Sequence, residues 1–448
     1  MNALLLIAFI IVLIWLYYQD ERERLRVTRA TWIVVLWAAI YGSRPVTEWF
    51  GQVGGRSISE SVDEGNPIEA LINVLFLLVG CVVLLRRKIR WQTVLKENAA
   101  IVVFYVFWWL SILWSDYPLI TFKRLFKEVG TIIMALVVLT ELAPVEAIKA
   151  IFVRMSYLCI PLSVILIRYF PEWGRAYVGY DKSEVMWVGV ATHKNTLGVL
   201  AMVGAVFLLW DVLESRRKGT TRAPRALYAS RVISLGLCWY LLLIVNSVTS
   251  LLCAAIGSVL LLAIHHTSIR NRPRRLELFG GGLAAVILIL DSLIGVKEDL
   301  LKAVGRDPTL TTRTEIWPML MQLQPNDLVG AGFNTFWAGE RLRISFEKFG
   351  GIFQAHNGYL ETYLNGGWVG VGILAGVLVA AYLQIRKRLV VGAPEAGIRL
   401  VVLVIAVVYN YSEASFNKIG VLWLLTIIAV MQNLPTPVSL RATSRVRH

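Results

Sequence analysis

Charged side chains are scarce in this sequence. They make up 17% of its 448 residues, against about 25% in soluble domains, while 57% of residues are hydrophobic and the mean hydropathy is +0.63. A soluble fold has no interior large enough for that excess, so lipid must be the solvent for much of the chain. Cysteine is scarce as well. Cys81, Cys159, Cys238 and Cys253 lie inside apolar runs without paired spacing, which indicates neither a disulfide framework nor a zinc site. There is no Walker A motif, no glycine-rich dinucleotide fingerprint, no His-Glu-x-x-His and no Asp-x-Asp or acidic cluster suited to a divalent metal. The expectation is chemistry without cofactor or metal, in which positive side chains neutralise charge as a metal does elsewhere.

What is present is apolar sequence in blocks. Hydrocarbon about 30 Å thick needs roughly 20 apolar residues per helix. Suitable runs fall near 3–18, 28–43, 67–85, 98–114, 121–141, 146–168, 193–210, 230–246, 248–265, 277–295, 363–385, 398–412 and 418–433. This predicts an all-α, polytopic membrane protein with about 12–13 spanning helices. The first run lacks a small-residue cleavage site and is read as a retained helix. The net charge of +15 is confined largely to alternate short loops, at 22–29, 86–90, 216–225, 270–275, 386–388 and the tail 441–447. By the positive-inside rule these face the cytoplasm, which leaves the N-terminus outside and makes the charge a topology signal, with no nucleic acid as partner. The expected organisation is N-terminal helices over 1–295, an extracytoplasmic loop over 296–355, C-terminal helices over 356–433 and a cytoplasmic tail over 434–448.

The outward-facing segments 114–128, 168–198, 296–355 and 354–370 do not read as generic membrane sequence. A loop of about 60 residues is far beyond the usual length unless it is functional or disordered, and this one is too aromatic for a disordered linker, so short helices over the mouth of the bundle are expected. Thr312 and Glu315 have capping-box spacing, which places Arg313 at a helix start, where backbone N–H groups and a guanidinium fork suit a phosphate; a salt bridge within the loop is the alternative. Thr192 reads as the N-cap of a helix with His193 and Lys194 in its first turn, either binding an anion or snorkelling to the interface. Lys123, Arg124, Lys127, Arg168 and Arg175 lie on this side against the positive-inside bias, which suggests an anionic partner. His356 can take a proton from a hydroxyl or hydrogen-bond a phosphate, or be structural, and Glu361 and Glu413 are carboxylates that can orient it.

The motifs Arg-Thr-x-x-Trp from Arg313, Gly-Ala-Gly-Phe-Asn-Thr-Phe from Gly330, Ala-His-Asn-Gly-Tyr-Leu-Glu from Ala355 and Asn-Gly-Gly-Trp-Val-Gly from Asn365 resemble, in order and spacing, the O-antigen ligase and polymerase superfamily of bacterial membrane glycosyltransferases. LSILWSDYP and PEWGRAY…GVATHKNTLG upstream are similar to its exopolysaccharide-polymerisation, succinoglycan polymerase-like branch, and the likeness runs from about residue 100 to 430. The resemblance implies a GT-C-like helical bundle in the bacterial inner membrane with its active site on the periplasmic face. It further implies a metal-independent, inverting transfer from an undecaprenyl-diphosphate-linked oligosaccharide to an acceptor glycan or lipid A core. His356 and Arg313 are the implied catalytic pair, with His193, Lys194, Arg175, Arg124, Asn357 and Glu361 as candidate substrate-binding residues. Val248 in NSVTSLL stands where ligases of this type often carry a second arginine, which favours polymerase over ligase. A transporter of lipid or solute is a third reading, but no internal repeat is visible. If Arg313 grips a diphosphate, Arg313→Lys should lose most activity, because an ammonium cannot reproduce the bidentate fork; near-wild-type turnover with lipid-linked oligosaccharide would reject that role.

Overall fold

The computed structural model describes residues 2–51, 66–178, 184–218, 225–266, 274–275, 313–349 and 353–432. Nearly all of them are helical. The first half contains α1 (Asn2–Glu23), α2 (Thr31–Gly42), α3 (Pro67–Leu85), α4 (Trp91–Glu97), α5 (Ala99–Leu110), α6 (Pro118–Leu139) and α7 (Pro144–Tyr169). After the antiparallel hairpin β1 (Arg175–Val178) and β2 (Glu184–Trp187) come α8 (Lys194–Lys218), α9 (Arg225–Ile244) and α10 (Val248–His265). The last part holds α11 (Arg313–Gln322), α12 (Gly339–Phe349), α13 (Gly358–Val390), α14 (Ala396–Ser412) and α15 (Val421–Val430).

Each apolar run read from the sequence corresponds to one of these helices except 277–295, which lies outside the described residues, as do 296–312 of the expected loop and the tail. Among the described residues seven helices are long and apolar enough to cross a membrane alone, or eight if α4 and α5, bent by 89°, form one span. The others differ for physical reasons. Helices α2, α14 and α15 are shorter, and α6 carries Lys123, Arg124, Lys127 and Glu128 within its length. Large apolar side chains such as Leu4, Ile11, Leu71 and Leu243 stay exposed on the outer helix faces, where lipid takes the place of water.

The bundle has two chemically different ends. At one, the basic segments meet: Arg87 reaches the Val137 carbonyl, Thr140 and Glu141, and Glu141 also takes the Thr28 hydroxyl at 2.6 Å. Beside them lies a buried ion network. Asp20 binds Arg24 and Arg154, each at 2.7 Å, and Arg24 also reaches Asp211 at 2.9 Å and Glu146 at 3.1 Å. Lys149 pairs with Glu214 at 2.6 Å, and Arg231 with Asp211 at 2.9 Å and with Glu23. These charges come from α1, α7, α8 and α9, so the network welds four helices at a depth where an unpaired charge would be costly.

The other end is built by interlocking motifs. Gly367 breaks α13 with φ +59°, and a Cβ there would lie 2.2 Å from the Leu328 carbonyl carbon. The break exposes backbone groups that the preceding loop satisfies: Trp368 N–H donates to Asp327 O and Val369 N–H to Leu328 O, while Ala331 and Gly332 N–H donate to Leu364 and Asn365 O. Gly330 makes the same close approach from the loop side, 2.3 Å from the Asn365 carbonyl carbon for an added Cβ. The upstream segment clamps this loop, with Trp114 Nε1 donating to Val329 O at 3.0 Å and Phe333 N to Ser111 Oγ at 3.1 Å. Arg24→Met should therefore destabilise the purified protein in detergent by up to about 3–5 kcal/mol, since it removes the cation that Asp20, Glu146 and Asp211 share and leaves them only Arg154, Lys149 and Arg231. Arg343→Ala, which breaks exposed pairs on α12, should leave the melting temperature unchanged. Thermal unfolding followed with a thiol-reactive dye, which reads the buried Cys159, Cys238 and Cys253, separates the two outcomes.

Candidate functional site

At the end opposite the ion network a cavity of about 530 Å³ opens among Tyr41, His193, Asn195, His356, Glu413 and Lys418. Its size is that of a small-ligand site, for which about 300–1,000 Å³ is usual. The ends of α2 and α14 and the starts of α8, α13 and α15 converge on it.

His356 enters the cavity from a short extended segment that is pinned on both sides. Trp317 Nε1 donates to Ala355 O at 2.9 Å, Ala355 N–H to Glu361 Oε1 at 2.7 Å, and Gly358 N–H to Glu413 O at 3.0 Å. Asn357 is the N-cap of α13, its side-chain oxygen accepting from Tyr359 and Leu360 N–H at 3.0 Å each. Between these anchors His356 has φ +51°. A left-handed backbone is unfavourable for a residue with a Cβ and persists only where surroundings enforce it, as at functional sites.

The imidazole is oriented across the cavity. Nδ1 lies 3.2 Å from Glu413 Oε2, and the other carboxylate oxygen takes a 2.8 Å hydrogen bond from Asn195 Nδ2. An ionised carboxylate only accepts, so Nδ1 carries the proton and Nε2 is left as the acceptor. The Gln354 amide nitrogen stands 3.2 Å from Nδ1 and 3.4 Å from Nε2. A histidine held by a carboxylate, with its second nitrogen facing a cavity, has the arrangement of a general base.

His193 sits at the mouth. The expected cap shifts by one residue: α8 begins at Lys194, and His193 caps it, its Nδ1 accepting from Asn195 N–H at 3.2 Å while its carbonyl takes Leu197 N–H. Thr192, expected as the cap, lies before it with His193 outside the helix. Burial against the cavity lowers the His193 pKa, with Lys194 and His356 acting in the same direction and Glu413 opposing. The imidazole is thus held neutral, and its Nε2–H is a donor rather than a base.

The other expected residues fall elsewhere. Arg124 donates to the Asn334 carbonyl, and Arg175 to the Ile167 carbonyl at 3.0 Å while lying 4.9 Å over the Trp187 ring. Lys194 is not among the cavity-lining residues. Glu361 is buried behind the cavity, taken up by Ala355 N–H and Trp337 Nε1–H, and Asn357 is committed to its cap and to the Tyr411 carbonyl. Arg313 opens α11 as expected, one turn before Trp317; its side chain, like Thr312, lies outside the described residues.

The sequence reading did not single out Asn195, Gln354, Lys418 or Arg44. Arg44 supports the site from behind, donating to the Trp173, Gly189 and Ala191 carbonyls at 2.6, 2.8 and 3.1 Å, with its guanidinium 4.6 Å from the Trp49 ring. It fastens the β-hairpin segment to α2 and so sets the turn that leads into His193. Its signal in the sequence was a lone arginine in a segment outside the basic loops.

A model of the O-antigen ligase family matches residues 233–375, which include Arg313 and His356 but not Glu413 or Lys418. The chain is also 28% identical over 303 residues to the exopolysaccharide production protein ExoQ of Rhizobium meliloti (strain 1021). That match covers 64% of this chain and 65% of the relative, so the chain spans less than two-thirds of the curated relative's length. The chain is thus a polytopic helical membrane protein whose residues 233–375 are similar to the O-antigen ligase family and whose sequence is similar to a protein of exopolysaccharide production.

Proposed function

We propose that this protein is a glycosyltransferase of the bacterial inner membrane that polymerises exopolysaccharide repeat units on the extracytoplasmic face, using an undecaprenyl-diphosphate-linked oligosaccharide as donor. The observation that carries this reading is the His356–Glu413–Asn195 relay facing a cavity at the end of the bundle remote from the basic loops. The positive-inside rule supports an extracytoplasmic position for that end, where lipid-linked glycans would meet their acceptors. The relative's association with exopolysaccharide production supports polymerisation.

In this mechanism His356 Nε2 takes the proton of an acceptor hydroxyl, and Glu413 stabilises the imidazolium that results. The acceptor oxygen forms its bond to the anomeric carbon from the face opposite the diphosphate, so the configuration inverts. The bond between the anomeric carbon and the phosphate oxygen breaks, and its electron pair leaves with the lipid diphosphate. Cationic groups on the loop side, Arg313 among them, neutralise that charge. His193 donates through Nε2 to sugar or phosphate oxygen.

A ligase that moves a finished glycan to another acceptor is the second reading, favoured by the description of the matching family. The two differ in product. With lipid-linked repeat units as both donor and acceptor, the purified protein should yield a ladder of lengthening chains, undiminished in EDTA. A single transfer only to lipid A core would establish the ligase, and loss of activity in EDTA would refute the metal-independent mechanism. His356→Gln should preserve donor binding and lower turnover by about 10²- to 10⁴-fold, with Glu413→Gln in the same direction. Turnover by His356→Gln equal to wild type would exclude proton abstraction by this residue.

A further inference from the structure

A diphosphate leaving group needs a cation that is already in place when the bond breaks. Of the cations expected from the sequence, Arg124 and Arg175 are bound to backbone carbonyls away from the cavity. The residue that occupies the required position is Lys418. Among the described residues lining the cavity it is the one with a permanent positive charge, the others of basic type being His193 and His356.

The local sequence makes Lys418 a fixed group despite its flexible stem. It lies in the loop between α14 and α15, which Asn410 folds back by accepting from Ser415 N–H at 2.7 Å and Phe416 N–H at 3.0 Å. Phe416 is buried against the rings of Tyr359 and Trp423. Asn417 holds φ +60°, and its carbonyl accepts from Asn334 Nδ2 at 2.7 Å, which ties the loop to the Gly-Ala-Gly-Phe-Asn-Thr-Phe segment.

At the tip of the side chain, Nζ lies 3.1 Å from Gln354 Oε1 and 3.5 Å from Glu361 Oε1. Glu361 is the nearest opposite charge, yet its oxygens already accept from Ala355 N–H and Trp337 Nε1–H, so it balances the ammonium only in part. An ammonium has three donors; Gln354 and Glu361 are within reach of two, and the side chain is 33% exposed where it lines the cavity. Through Gln354 the ammonium is also two contacts from His356, so an anion bound by Lys418 would lie beside the base.

We propose that Lys418 binds the donor's diphosphate in the cavity and donates a hydrogen bond to the oxygen that receives the electron pair as the glycosidic phosphate bond breaks. The proposal rests on the transferase reading above and adds to it the group that meets the leaving anion. It places donor recognition partly outside the segment matched by the family model, which ends at residue 375.

The test uses the full-length protein in detergent with farnesyl diphosphate, farnesol and glucuronic acid as probes, by calorimetry. Lys418→Gln should weaken farnesyl diphosphate binding by at least roughly tenfold, the scale of one charge-assisted hydrogen bond, and reduce its salt dependence. Farnesol binding should be unchanged, and Lys418→Arg should stay within about threefold of wild type because the charge is kept. In turnover the effect should appear in KM for the donor, with the pH profile unshifted. Equal farnesyl diphosphate affinity in wild type and Lys418→Gln overturns the proposal, as does a loss confined to glucuronic acid or a shifted pH profile with unchanged affinity, which would mark Lys418 as a support for Gln354. Wild-type protein that binds farnesyl diphosphate through Lys418 but transfers no glycan would refute the transferase reading while leaving this subsite standing.

Discussion

Asp20 accepts two guanidinium groups inside a bundle whose outer faces are hydrocarbon-facing, and most of the molecule's geometry depends on that arrangement. Arg24 and Arg154 cannot satisfy their charge anywhere else at that depth, and Asp211 has the same dependence on Arg24 and Arg231. Transmembrane helices lack a hydrophobic drive to associate, because lipid solvates an apolar face as well as a neighbouring helix does. Ion pairs that penalise every wrong partner therefore set which helices adjoin. Here they hold α1, α7, α8 and α9 at one end, and α2, α7 and α8 carry that registration along their length to the cavity.

At the far end the controlling contacts are of another kind. The glycines of two motifs meet backbone to backbone: Gly330 against Asn365 and Gly367 against Leu328. No side chain fits between them, and each strand of the contact supplies the hydrogen bonds that the break in α13 removes from the helix. The loop is thus part of the helix against which it packs. Trp317 then ties α11, and with it the position of Arg313, to the residue before His356.

The fold was legible because its signals are additive along the chain. Apolar runs and basic loops report their own positions, and the described helices follow them closely. The capping position of α8 was read one residue early because a threonine is a commoner cap than a histidine, and only the three-dimensional structure shows the His193 imidazole accepting from Asn195. His356 and the start of α11 were recoverable from motif spacing. The pairing of His356 with Glu413 joins residues 57 apart, and that of Glu413 with Asn195 joins residues 218 apart, a separation that no local pattern encodes. Lys418 was invisible for a related reason: in sequence it is one lysine before an apolar run, and its meaning comes from Gln354 and Glu361 behind it. Asn357 and Glu361 show the reverse, polar residues in a conspicuous motif whose work is to cap and brace.

The ion network also constrains how the protein is made. Glu23 pairs with Arg231 across 208 residues of chain, and Arg24 awaits Asp211. At about 5–20 residues per second of synthesis, α1 precedes α9 by roughly 10–40 s. For that interval Arg24 has only Asp20 of its native partners, and Glu23 lacks Arg231. The remaining pairs of the network form only once α7, α8 and α9 have been made. A chain that ends before α9 would lack Arg231 and leave Glu23 without its partner, so the network of this bundle is completed only by a helix made some 200 residues after the first.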